Sequence, residues 1–149
     1  VATTYLDKVD VETELGVEFT DSTRPSSAQA EHVIEDIEAE VSGWLNIMGV
    51  STPVSISTSP ISFKIVRQWV LWGAASRCQD IYTGNTLDQN PKAAMYWERY
   101  IQCLNQYMDK PELLADATLL TSEADIDISF IDEYDESYHE VTVELDDEY

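Results

Sequence analysis

Residues 60–83, PISFKIVRQWVLWGAASRCQDIYT, constrain the fold more than any other stretch. Pro60 after Ser59 fits the first turn of a helix, where a missing N–H leaves nothing unpaired, and Gly84 fits the position just past its end. Wound as a helix, the segment places Ile61, Ile65, Val66, Trp69, Val70, Trp72, Ala74, Ile81 and Tyr82 around most of its circumference. Only a narrow strip near Lys64, Arg67, Gln68 and Cys78 stays polar. A helix apolar nearly all round has to be covered on several sides.

Further helices are legible on either side of it. DVETELG reads as a short helix with Asp10 as its cap and Gly16 past its end. Ser26 and Gln29 form an S-x-x-Q capping box. The helix they open repeats Ala30, Val33, Ile34, Ile37, Val41, Trp44, Leu45 and Met48 on one face, with Glu31, Glu35, Asp36, Glu38 and Glu40 on the rest, and stops at Gly49. After the apolar helix, Asn90 and Pro91 open another. It carries a core stripe of Ala94, Trp97, Ile101, Leu104 and Met108, with Tyr96, Tyr100 and Tyr107 beside it and Lys92 and Arg99 on the flanks, until Pro111. The expected architecture is mainly α: a small bundle of three main helices plus a short N-terminal helix, over residues 1–114.

Residues 115–149 form a different, acidic tail. Ile126, Ile128 and Phe130 alternate with polar residues, as do Val141, Val143 and Leu145, the pattern of a β-hairpin. Such a hairpin needs its apolar face covered, because two strands alone are marginal in water. These six residues are therefore expected to dock on a partner or on the helices.

Charge is distributed unevenly. The 149-residue chain has 29 acidic and 8 basic side chains, for a net charge of -21. Yet residues 60–108 hold more bases than acids, with Lys64, Arg67, Arg77, Lys92 and Arg99 against Asp80, Asp88 and Glu98. The overall charge argues against binding nucleic-acid phosphates or anionic membranes. Four Trp and eight Tyr argue against disorder. Two explanations remain: nucleic-acid mimicry, or adaptation to molar salt, which screens carboxylate repulsion within about 3 Å. Acids spread over the N-terminal third and the tail, not confined to one helix face, favour salt adaptation. No apolar run is long enough for a membrane span, and VATTYLDKVD lacks the basic and apolar regions of a secretory signal.

Chemistry-bearing motifs are scarce. Asp125, Asp127, Ser129, Glu133 and Glu136 fall at EF-hand offsets, but Phe130 occupies the position where that loop turns on Gly, and the stretch reads as a strand. His32 lacks a second histidine at metal-binding spacing. Cys78 and Cys103 sit among apolar residues on helices, as buried free thiols do. No nucleophile elbow, phosphate loop or zinc spacing occurs. The expectation is a non-enzyme without metal or cofactor.

The gathering of Arg, Tyr and Trp on the two central helices matches the residue types enriched at protein interfaces. Lys64, Arg67, Lys92 and Arg99 are candidate polar contacts, and Trp69, Trp72, Tyr96 and Tyr100 candidate anchors, at a subunit or partner interface. Taken singly, each also fits a core margin, with Lys and Arg stems covering apolar surface.

The order YLDKVDVETELGV, AEHVIEDIEAEVSGWLNIMGV, PISFKIVRQWVLWGAASRCQDIYTG and PKAAMYWERYIQCLNQYMDKPELL, over about residues 4–114, resembles the helical head-tail connector (adaptor, or head completion) proteins of tailed viruses. The resemblance rests on an amphipathic helix ending near Trp44, a Pro-started apolar helix and an aromatic third helix with YWERY. It implies a structural virion protein: a homo-oligomeric ring, dodecameric in the family, made in the host cytoplasm. The ring would dock beneath the portal protein, contact a tail or second connector protein, and extend a channel through which DNA passes. With the acidity, it implies a virus of a halophilic, haloarchaeal host. The competing expectation is an acidic DNA mimic that inhibits a nucleic-acid-binding protein.

Overall fold

The local cap signals place four helices. The computed structural model describes residues 3–84 and 90–120. In chain order its helices are α1 (Lys8–Leu15), α2 (Ser27–Ile47), α3 (Pro60–Thr83) and α4 (Pro91–Asp109), followed by one 3-10 turn at Pro111–Leu113. Among the described residues the only extended pairing is an isolated antiparallel bridge between Val50 and Leu119. The hairpin set Ile126, Ile128, Phe130, Val141, Val143 and Leu145 lies outside the described residues, as does the EF-hand-like run.

Ser26 and Gln29 close their box as expected, with Ser26 Oγ accepting from the Gln29 N–H at 3.3 Å and Gln29 Oε1 accepting from the Ser26 N–H at 3.0 Å. Asn90 caps α4 by accepting from the Ala93 N–H at 3.3 Å. Its amide nitrogen donates to Gln79 O and Thr83 Oγ1, which ties the end of α3 to the start of α4. α1 starts three residues earlier than its sequence suggests: Asp7 is the cap, and Asp10 reaches back to accept from the Asp7 N–H at 2.9 Å.

α3 is the axis of the bundle and packs against α1, α2 and α4. From Val66 to Gln79 all residues but Arg67, Gln68, Trp72 and Arg77 are buried, Cys78 included. α3 and α4 run antiparallel, with Ser76 Oγ donating to Ala93 O at one level and Trp69 beside Tyr107 further along. The two helices approach tightly at Gly73, where an added Cβ would lie 2.9 Å from both Ile37 Cγ2 and Tyr100 Cδ2. That approach reorders α4. Ala93, Tyr96 and Tyr100 take its buried face, while Trp97, Ile101 and Leu104 are only partly buried and Met108 is exposed. The tyrosines expected beside the core stripe are the stripe, because Gly73 leaves room for a ring and nothing else.

The first turn of α3 has an unexpected cap. Ser59 occupies the cap position but its side chain caps nothing. Asp116 does so from beyond α4: its Oδ2 accepts from the Ile61 N–H and its Oδ1 from the Ser62 N–H, both at 2.8 Å, and Oδ1 also accepts from the Ser62 hydroxyl. The Ser51 N–H donates to Thr118 O at 2.7 Å beside the Val50–Leu119 bridge. Residues 115–119, which the sequence reading assigns to the tail, thus belong to the helical body.

Glu38 departs from its expected solvent-facing role. It is buried, and its carboxylate accepts from the backbone N–H groups of Thr4, Tyr5 and Leu6, the closest at 2.6 Å. Tyr5 continues the tie, its hydroxyl oxygen accepting from the Val54 N–H at 2.8 Å. The N-terminal segment is thereby held to α2 and to the loop before α3.

Candidate functional site

The eight candidate interface residues divide into three groups. Trp69, Tyr96 and Tyr100 are core residues. Trp69 lies with its ring centroid 6.0 Å from Tyr100 and 5.7 Å from Tyr107, and Tyr100 stacks on Trp97 at 5.0 Å. Among the described residues the Tyr100 hydroxyl has no hydrogen-bond partner at bonding distance, and burial pushes its pKa well above the ordinary tyrosine value, with the nearby Glu40 carboxylate adding to the shift. Tyr96 donates to Glu14 Oε1 at 3.0 Å; burial, then this bond, raises its pKa too. These three side chains cannot anchor a partner, which corrects the sequence-based assignment.

Arg67 and Lys92 form the second group. The Arg67 guanidinium donates to Asp10 Oδ1 at 2.8 Å, and Lys92 Nζ donates to the Leu15 carbonyl at 3.1 Å, where a cation complements the C-terminus of α1. Both bases therefore serve α1. With Arg77 paired to Glu40 at 3.1 Å, they act as counter-charges inside the molecule. α1, α2 and α4 cover the middle of α3, while Ile61 near its start and Tyr82 near its end stay exposed. The sequence reading did not credit the eight-residue α1 with closing a side of the bundle.

Lys64, Trp72 and Arg99 remain at the surface. Lys64 and Arg99 are exposed and Trp72 is partly buried. Arg99 stacks 4.8 Å above the Trp72 ring and 5.9 Å from the Tyr96 ring, and these two rings lie nearly parallel at 5.7 Å. Among the described residues no carboxylate lies within ion-pair distance of Arg99. Met95, one turn earlier on the same face of α4, is also exposed.

A second surface feature escaped sequence reading. Where the start of α3 meets the end of α4, large apolar side chains project outward: Ile47, Ile56, Ile61, Leu113 and Leu119, with Ile47 and Leu119 the most open at 68% and 67%. An open groove of about 550 Å³ is lined by Met48, Pro111, Glu112, Leu114, Ala115, Ala117 and Leu119, sharing Leu119 with the exposed set. The signal was present in STPVSISTSP and in PELL, where apolar residues stand in loops with no periodic face to join.

Other groups give little reactivity. Burial pushes the Cys78 thiol up to about 12 and also raises that of Cys103, so neither is a ready thiolate at neutral pH. His32 is exposed, with its Nδ1 3.4 Å from Glu35. Among the described residues no three His, Cys, Asp or Glu side chains converge, and no helix is long and apolar enough to cross a membrane. The acids of α2 are not a continuous row: Glu38 is buried against backbone, Glu40 is paired with Arg77, and Asp36 stands exposed.

No protein family, no characterised protein and no solved structure matches the chain.

Proposed function

We propose that this chain is a structural assembly protein, a head-tail connector of a tailed virus, whose copies form a ring that docks on a portal protein and on a tail or second connector. The observation that carries the reading is the apolar end of the bundle. In a protein of net charge -21, exposed Ile47, Ile56, Ile61, Leu113 and Leu119 beside an open groove mark a surface built to be covered by another protein. The order of the four helices agrees with the segments that carry the resemblance. DNA would pass through the ring without base-specific contact, and the acidity fits a halophilic host. The interrupted acids of α2 weigh against mimicry of a phosphate row.

The test is the mass of the particle in molar salt, with and without a portal ring. The reading expects co-sedimentation with the portal, and expects Ile56→Glu, at an exposed loop position, to weaken it at least about tenfold with the helical content unchanged. Co-sedimentation that Ile56→Glu leaves intact would remove the apolar end as the docking surface. Displacement of DNA from a nucleic-acid-binding protein, with no portal binding, would replace the reading by the mimic.

A further inference from the structure

The cap that Asp116 places on α3 joins two pieces of the apolar end that lie far apart in the chain. One is the first turn of α3, which carries the exposed Ile61. The other is the segment after the 3-10 turn, which supplies Leu114, Ala115, Ala117 and Leu119 to the lining of the groove. Leu114 at its root is buried, whereas Ala115, Thr118 and Leu119 are exposed, so little apolar burial holds residues 115–119 in place. Their ties to the elements before α4 are the Ser51 N–H on Thr118 O, the Val50–Leu119 bridge and the bonds of Asp116. Hydrogen bonds to an ionised acceptor are the stronger kind, and Asp116 takes three, from the Ile61 and Ser62 N–H groups and the Ser62 hydroxyl. It is the main fastening of the segment.

A local cap was at hand. Ser59 stands at the cap position and is of a residue type that caps helices, yet its side chain caps nothing and is buried. Drawing the cap from Asp116 makes the order of the first turn of α3 depend on where residues 115–119 lie, and the reverse. We propose that residues 115–119 are a strap latched by Asp116, which gives the apolar end two states: closed, with the groove walled and Ile61 held on a formed turn, and open, with wall and turn loosened together. This rests on the reading of the apolar end as a docking surface and names the regulation of that surface. A partner that binds the closed state tightens the turn, and whatever draws Asp116 away weakens the partner, by the reciprocity of linked equilibria.

Amide hydrogen exchange of the full chain in molar salt tests the latch without any portal, comparing wild type with Asp116→Ala at one pH. The Ile61 and Ser62 N–H groups lose their acceptor in the variant and exchange faster in any case. The diagnostic amides are Ser51 and Ala117, whose acceptors, Thr118 O and Leu114 O, the substitution leaves in the chain. Release of the strap should speed exchange at both by at least about tenfold, with Val70 and Ala74 in the buried middle of α3 unchanged. Asp116→Asn, which keeps one acceptor oxygen, should speed the same two amides less. Ser51 and Ala117 as protected in Asp116→Ala as in wild type would overturn the proposal, because Asp116 would then be a cap and nothing more. Equal acceleration at Val70 and Ala74 would overturn it too, since the whole fold and not the strap would be opening. Asp116→Ala should also weaken co-sedimentation with the portal at least about tenfold. An open strap with portal binding unchanged would overturn the coupling of latch to docking. A wild-type chain that binds no portal, with Ser51 and Ala117 released together in the variant, would remove the connector reading and keep the latch.

Discussion

Two clusters of aromatic residues on α3 and α4 share residue types and lie within a turn of each other, yet have opposite environments. Trp69 packs between Tyr100 and Tyr107, and Tyr100 closes on Gly73 together with Ile37 of α2. Trp72, Tyr96 and Arg99 meet on the side where α1 covers only part of the surface, with Glu14 taking the Tyr96 hydroxyl and Arg99 left in solvent. Residue type alone does not distinguish an interface anchor from a core residue. Which neighbouring helix reaches the side chain does.

The comparison is broken most severely at the inner cluster. Tyr100→Ala should destabilise the fold by about 3–5 kcal/mol, the usual cost of deleting a large buried aromatic, whereas Trp72→Ala should cost clearly less; chemical denaturation of the two variants compares them directly. Equal losses would mean the outer cluster is as much core as the inner.

A smaller effect is expected at Glu38. Glu38→Ala removes a charged acceptor from three backbone N–H groups and should cost about 2–3 kcal/mol. Loss of amide-exchange protection at Thr4, Tyr5 and Leu6 ahead of α3 would locate the damage in the N-terminal segment.

The smallest effect concerns Asp116. Its hydrogen bonds, foremost that from the Ser62 hydroxyl, hold its pKa below the ordinary carboxylate value. A depressed folded-state value stabilises the fold at pH above the unfolded-state value of about 3.9, and the contribution is lost as pH falls through the folded-state value. Wild type and Asp116→Asn should therefore differ in thermal midpoint at neutral pH and converge in acid. A difference that persists below the folded-state value would show that the charge of Asp116 is not what caps α3.

What the sequence revealed is what short-range chemistry decides. The Ser26–Gln29 box, the Asn90–Pro91 start and the glycines at Gly16 and Gly84 are set by residues within one turn of each other, and all sit where their patterns place them. The features missed depend on distant partners. Glu38 looks like any surface glutamate until residues 4–6 are laid beside it. Gly73 looks like a weak point in a helix until Ile37 and Tyr100 close on it. For the candidate interface, Arg67 and Lys92 answer to α1, to Asp10 and the Leu15 carbonyl, through contacts that no local pattern in the sequence reveals.

The Asp116 cap carries a consequence for the order in which the molecule assembles. A cap drawn from its own helix forms with the first turn. Here the donors at Ile61 and Ser62 wait for an acceptor some 54 to 55 positions further along the chain, and closing so long a loop is unfavourable until other contacts have already brought its ends together. The α3–α4 hairpin therefore has to pack before the first turn of α3 is secured. That turn is the last part of the central helix to become fixed in folding, and the first to fray when the segment after α4 is pulled away.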